Sequence, residues 1–118
     1  MERDSKLFVV HIIDEINFLQ SVAARMSFET FNADQALPRA VAFSLQIISE
    51  ASRRIPSEWL DEHPNIQWHK IKAFGNRSRH EYSNLQMPSL WATIINELGE
   101  LKIVMDIFMT KPDHPLRP

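Results

Sequence analysis

Apolar residues in this chain recur at intervals of three and four, and no stretch shows the alternation at intervals of two that a half-buried strand requires. That pattern restricts the fold to helices packed on helices. Between Asp4 and Arg25, Val9, Ile12, Ile13, Ile16, Leu19 and Ala23 share a face, with Glu15, Asn17 and Gln20 between them. Phe8, Val10 and Phe18 widen the stripe beyond what one neighbour covers, so this helix should touch two partners, one of which could belong to another subunit. Ser27, Thr30 and Asn32 suit short turns, and Phe28 and Phe31 should pin this connection to the core.

A second helix is expected over Asp34 to Ile55, with Val41, Leu45, Ile48 and Ala51 on one face and Ala40, Phe43 and Ile47 on another. Pro38 suits a first turn, where its missing donor would be unpaired anyway, so the regular helix should start near Leu37. It stops before Pro56; Ser57 to Asp61 suits a short capped turn, broken by His63-Pro64-Asn65. From Ile66 to Tyr82, Trp68, Ile71, Phe74 and Ser78 give a thinner helical face. Pro88 opens a last helix, in which Trp91, Ile94, Ile95, Leu98, Leu101, Met105 and Phe108 keep a near-heptad stripe to about Thr110. The expectation is an all-α, antiparallel four-helix bundle with a short extra helical turn. It forms one domain over residues 1–110, followed by a mobile tail over 111–118 that carries Pro112, Pro115 and Pro118.

Composition removes several kinds of chemistry. With 118 residues the chain holds one core. Its 2 glycines, where average usage of roughly 7% would give about eight, cannot build a phosphate-cradling loop or a dinucleotide-binding turn. With 0 cysteines there is no disulfide frame, thiol nucleophile or zinc ribbon. Mixed charge at Met1-Glu2-Arg3-Asp4 and the lack of a long uninterrupted apolar run argue against a signal peptide or membrane span, so a cytoplasmic location is expected.

The formal charge is −2, yet residues 69–82 hold four cations, Lys70, Lys72, Arg77 and Arg79, against Glu81 alone. The segment therefore carries +3 and the remainder −5. Within it lie Asn76, His80 and the single tyrosine, Tyr82; on a helix Asn76, Arg79 and His80 share a face. A neutral imidazole can take or give a proton near neutral pH, and a guanidinium can hold phosphate oxygens in a fork. These are the needs of metal-free RNA cleavage: a base for the 2′-hydroxyl, an acid for the departing 5′-oxygen and a cation for the crowded phosphorus. The plainer reading is a solvated polar helix face. His11, His63, His69 and His114 have no partners in the sequence that suggest catalysis. No pair of ligands at metal-binding spacing appears, and no cofactor is implied. Trp59 and Trp68 could stack on bases, or could close the core near turns.

Several landmarks occur in a recognisable order: Gln46-Ile47-Ile48-Ser49-Glu50-Ala51, Ile66-Gln67-Trp68-His69-Lys70-Ile71, His80-Glu81-Tyr82 and Leu90-Trp91. With the opening amphipathic helix, they make nearly the whole chain resemble the HepT-like HEPN toxins of prokaryotic toxin–antitoxin modules. The resemblance implies a dimeric all-α endoribonuclease with His80 as general acid/base. It also implies an MntA-like nucleotidyltransferase antitoxin, which in such type VII-like modules adds AMP to the tyrosine at the position of Tyr82. Asn76, Arg77 and Lys72 would bind phosphate or RNA. The family motif is an arginine, four to six residues, a histidine, any residue and a tyrosine, but the eligible positions here are Ala73, Phe74 and Gly75. Arg79, directly before the histidine, is the candidate substitute. The missing arginine keeps a second reading open: an inactive helical module of the same fold that binds a nucleotidyltransferase or a nucleotide.

Overall fold

The computed structural model describes residues 5–73 and 87–112, and there the chain is helical with no strand. Helix α1 spans Lys6–Arg25, α2 Phe28–Ala33, α3 Leu37–Ser52 and α4 Ser57–Asp61. Residues 68–73 are the described part of α5. Helices α6, Met87–Asn96, and α7, Leu98–Met109, complete the described chain.

Helix α1 lies at the centre, packed on α3, α6 and α7. Val9, Ile12, Ile16, Leu19 and Val22 are fully buried along it, as the spacing of three and four requires. Over an 18-residue window its mean hydropathy is 1.4, enough by length and composition for a membrane span. Its central place in the core accounts for that apolarity. Phe8, His11, Phe43, Ile47, Glu50 and Arg54 line one groove, which sets the N-terminal turns of α1 beside the C-terminal half of α3 and makes these two helices antiparallel.

The connection after α1 is more ordered than a series of turns. Ser27 caps α2 by accepting the Thr30 N–H at 3.2 Å, and Phe31 is fully buried. Phe31 then packs on Trp91 of α6 with ring centroids 4.9 Å apart. Before α3, Asp34 Oδ1 accepts the N–H groups of Ala36 at 2.8 Å and Leu37 at 2.9 Å. The carboxylate thus satisfies two of the donors that a helix start leaves unpaired, and Pro38 sits in the first turn where no donor is needed.

Two sequence expectations change. The last helix is interrupted at Glu97, where φ opens to −115°. The Glu97 N–H still reaches Thr93 O at 3.0 Å and the Leu101 N–H reaches Glu97 O at 3.3 Å, so the break is one residue wide, two positions before Gly99. Glycine inside a helix weakens it through backbone entropy, which makes this a place where the chain yields. Ile95, counted with the buried stripe, is 55% exposed, while Ile94, Leu98, Leu101, Met105 and Phe108 are buried as expected. The second face of α3, expected to carry Ala40, Phe43 and Ile47, points outward at Phe43, 62% exposed.

Candidate functional site

Of the expected catalytic, RNA-binding and modification residues, Lys72 alone lies within the described chain. Asn76, Arg77, Arg79, His80 and Tyr82 lie outside it, as do Phe74 and Gly75. The described structure therefore defines the support from which the motif segment departs.

That support is built at the backbone of Lys72. Its carbonyl accepts the Ser49 hydroxyl at 2.7 Å and the Arg53 Nη2 at 2.8 Å. Ser49 is fully buried on α3, and its own carbonyl accepts the Ser52 hydroxyl at 2.7 Å. One turn of α3 thus fastens α5 just before the chain enters the motif segment. A hydroxyl and a charged guanidinium on one carbonyl make a stronger anchor than a neutral pair, because hydrogen bonds from charged donors are worth more.

Arg53 is the functional candidate that sequence reasoning passed over. It lies 19 positions before Lys72, yet its guanidinium reaches the carbonyl preceding Ala73, the first position eligible for the family arginine. Its side chain is exposed, and one bond to a carbonyl leaves most of its five donors for other acceptors. The sequence did contain a signal in the Arg53-Arg54 pair at the end of α3, but the distance along the chain hid its relation to α5. Lys70 is exposed and Lys72 half-buried on the same helix, so the described part of the basic segment keeps its cations.

Trp59, His63 and Trp68 pack into the core, and His114 lies outside the described residues. Trp68 donates its indole N–H to Leu60 O at 3.0 Å and His63 O at 3.1 Å. Trp59, His63 and Trp68 surround Phe108 with centroid distances of 5.5, 5.3 and 6.4 Å, closing the core where the α4 region meets α7. Lys111 lies over Trp59 and pairs with Glu62 at 2.7 Å. His11 is exposed with its ring edge against Phe8, and His69 is exposed on α5. No three histidine or acidic side chains come together as a metal cage among the described residues.

Comparison with known proteins gives the setting. The family model described as "Ribonuclease HepT-like" matches residues 12–107. A protein of Caldanaerobacter subterraneus subsp. tengcongensis named "Putative RNase TTE0752" is 35% identical over 95 residues, covering 80% of this chain and 85% of its own. "Probable ribonuclease HepT" of Thermococcus cleftensis is 29% identical over 102 residues, covering 86% and 93%. No solved structure matches significantly.

Proposed function

The chain belongs to the HepT-like ribonuclease family, and from that premise we propose that it is a metal-independent endoribonuclease toxin acting in the cytoplasm as a homodimer. The observation that carries the reading is the family match over residues 12–107, a span that contains His80-Glu81-Tyr82 and the four cations of the basic segment. His80 acts as general acid/base on the RNA 2′-hydroxyl and the departing 5′-oxygen. Attack by that hydroxyl yields a 2′,3′-cyclic phosphate and a free 5′-hydroxyl, so no water or metal is needed for the first step. One imidazole cannot readily supply both base and acid in a concerted step; a two-fold axis would bring a second His80 to the same cleft.

Arg79 stabilises the phosphate charge, with Asn76, Arg77 and Lys72 holding the backbone. Arg53 adds a guanidinium at the root of the motif segment, which bears on the missing arginine at Ala73, Phe74 and Gly75. The inhibitor is an MntA-like nucleotidyltransferase. AMP on Tyr82 would place bulk and negative charge beside the cations and keep RNA out.

The test is cleavage of RNA by purified protein in excess EDTA. Wild type is expected to leave cyclic phosphate ends, and His80→Ala to abolish cleavage without changing the helical circular dichroism. Unaltered cleavage by His80→Ala removes His80 from the mechanism. The absent family arginine supports a second reading as an inactive module. Harmless expression in cells, no RNA cleavage and stable capture of a nucleotidyltransferase would together favour it.

A further inference from the structure

A cavity of about 250 Å³ opens between α3, α5 and the interruption separating α6 from α7. Its floor is apolar, formed by Leu45 and Ile48 of α3, Ile66, Ile71 of α5, and Leu98 and Leu101 of α7. Its mouth is polar and unequal in charge: Glu97 and Glu100 face it from the α6–α7 break, and among the described residues Lys70 is the one lysine or arginine in its lining. Asn65 Nδ2 donates to Glu100 Oε1, which fixes that carboxylate in place. The Thr93 hydroxyl at the rim is already committed to Ser89 O at 3.1 Å.

Size and chemistry narrow the occupant. An apolar cavity of about 150 Å³ holds a single benzene ring, so this one has room for a fused two-ring base. Carboxylates only accept hydrogen bonds, so the edge presented to them must donate. Among the described lining residues, two carboxylates against one ammonium also disfavour a bound phosphate or carboxylate. Among the RNA bases, guanine alone offers two adjacent donors, N1–H and the N2 amino group, matched to the two oxygens of one carboxylate. Adenine and cytosine each set a lone pair beside their single donor group, and uracil flanks its one N–H with two carbonyls.

We propose that this cavity is a guanine subsite, in which a base of the RNA substrate enters between Ile71 and Leu98 and is read by Glu97. Its use on RNA rests on the ribonuclease reading above. Its capacity for the base does not. Free guanosine offers the same edge, so two measurements distinguish the sources.

The first titrates guanosine and uridine into the full protein by calorimetry or nuclear magnetic resonance. The second compares cleavage of oligonucleotides in which each guanine in turn is replaced by uracil. Wild type should bind guanosine in preference to uridine and lose cleavage on replacement of one particular guanine. Glu97→Gln should weaken guanosine by roughly fivefold or more, the smaller end of what a good bidentate base contact contributes. Thr93→Phe, which fills the cavity from its rim, should abolish guanosine binding. Guanosine binding by a protein that cuts no RNA would sink the ribonuclease reading and leave the guanine site standing. Guanosine binding with cleavage indifferent to guanine would assign the site to a free nucleoside or nucleotide. Guanosine that fails to bind, or binds unchanged in both variants, overturns the proposal.

Discussion

The buried hydroxyl of Ser49 on α3 donates to the carbonyl of Lys72 on α5 at 2.7 Å, joining two helices 23 positions apart in the chain. Deleting the hydroxyl in Ser49→Ala leaves Arg53 as the remaining donor to that carbonyl. The expected loss is about 1–2 kcal/mol in urea unfolding. Faster amide exchange in α5 than in α1 should accompany it, and a uniform rise across both helices would refute the local anchor.

Ser44 makes the opposite case. It is 1% exposed, and its hydroxyl has no hydrogen-bond partner among the described residues. Ser44→Ala removes a desolvated polar group and places the best helix former on α3, so stability should rise by about 1 kcal/mol. A loss in the same unfolding assay would show that the hydroxyl has a partner in solution.

Asp34 gives the fold a dependence on acid. The backbone N–H of Leu37, and then that of Ala36, hold its carboxyl below the ordinary value of 3.8. Because the folded value is the lower one, this stabilisation is complete above about pH 4. It is lost as pH falls through the depressed folded value. Asp34→Asn keeps an acceptor for the α3 donors but does not titrate there, so it should flatten the acid limb of the melting temperature against pH. An unchanged acid limb would mean that the cap does not form.

The Phe31–Trp91 contact ties the short α2 to the last helical arm. Phe31→Ala empties a fully buried site and should cost about 3–5 kcal/mol. It should also shift Trp91 emission to the red, read in a protein whose Trp59 and Trp68 are replaced by phenylalanine. Emission that stays in place would separate Trp91 from this cluster.

For Arg53 the expected effect is on RNA. Arg53→Ala should reduce the slope of log binding constant against log salt by about 1, the signature of one lost phosphate contact. Arg53→Lys should restore the slope while losing the geometry of the bond to Lys72 O. An unchanged slope in Arg53→Ala would confine the residue to its structural bond.

The helical framework could be read from sequence because burial repeats with the helix period, as in Val9, Ile12, Ile16 and Leu19. The start of α3 was equally readable, since a proline such as Pro38 fits a helix in its first turn, where no donor is needed. The interruption at Glu97 was not. Ile94, Leu98, Leu101, Met105 and Phe108 remain in phase across it, so periodicity carries no mark of the break. Nor could spacing foretell that Ser49 and Arg53 meet the carbonyl of Lys72, because hydrogen bonds between distant helices leave no local pattern. Of the proposed catalytic cluster, only Lys72 falls where structure and sequence can be compared.

The central place of α1 also orders events during synthesis. This helix leaves the ribosome before the α7 surface that covers part of its apolar stripe has been made, because α1 precedes α7 in the chain. Until those residues emerge, the apolar stripe of α1 lacks its full enclosure, and the nascent chain exposes surface that favours aggregation or chaperone capture. A truncation ending before Leu98 would therefore yield a sticky intermediate instead of a smaller working protein, so a cell making this chain meets no competent molecule until α7 has been made.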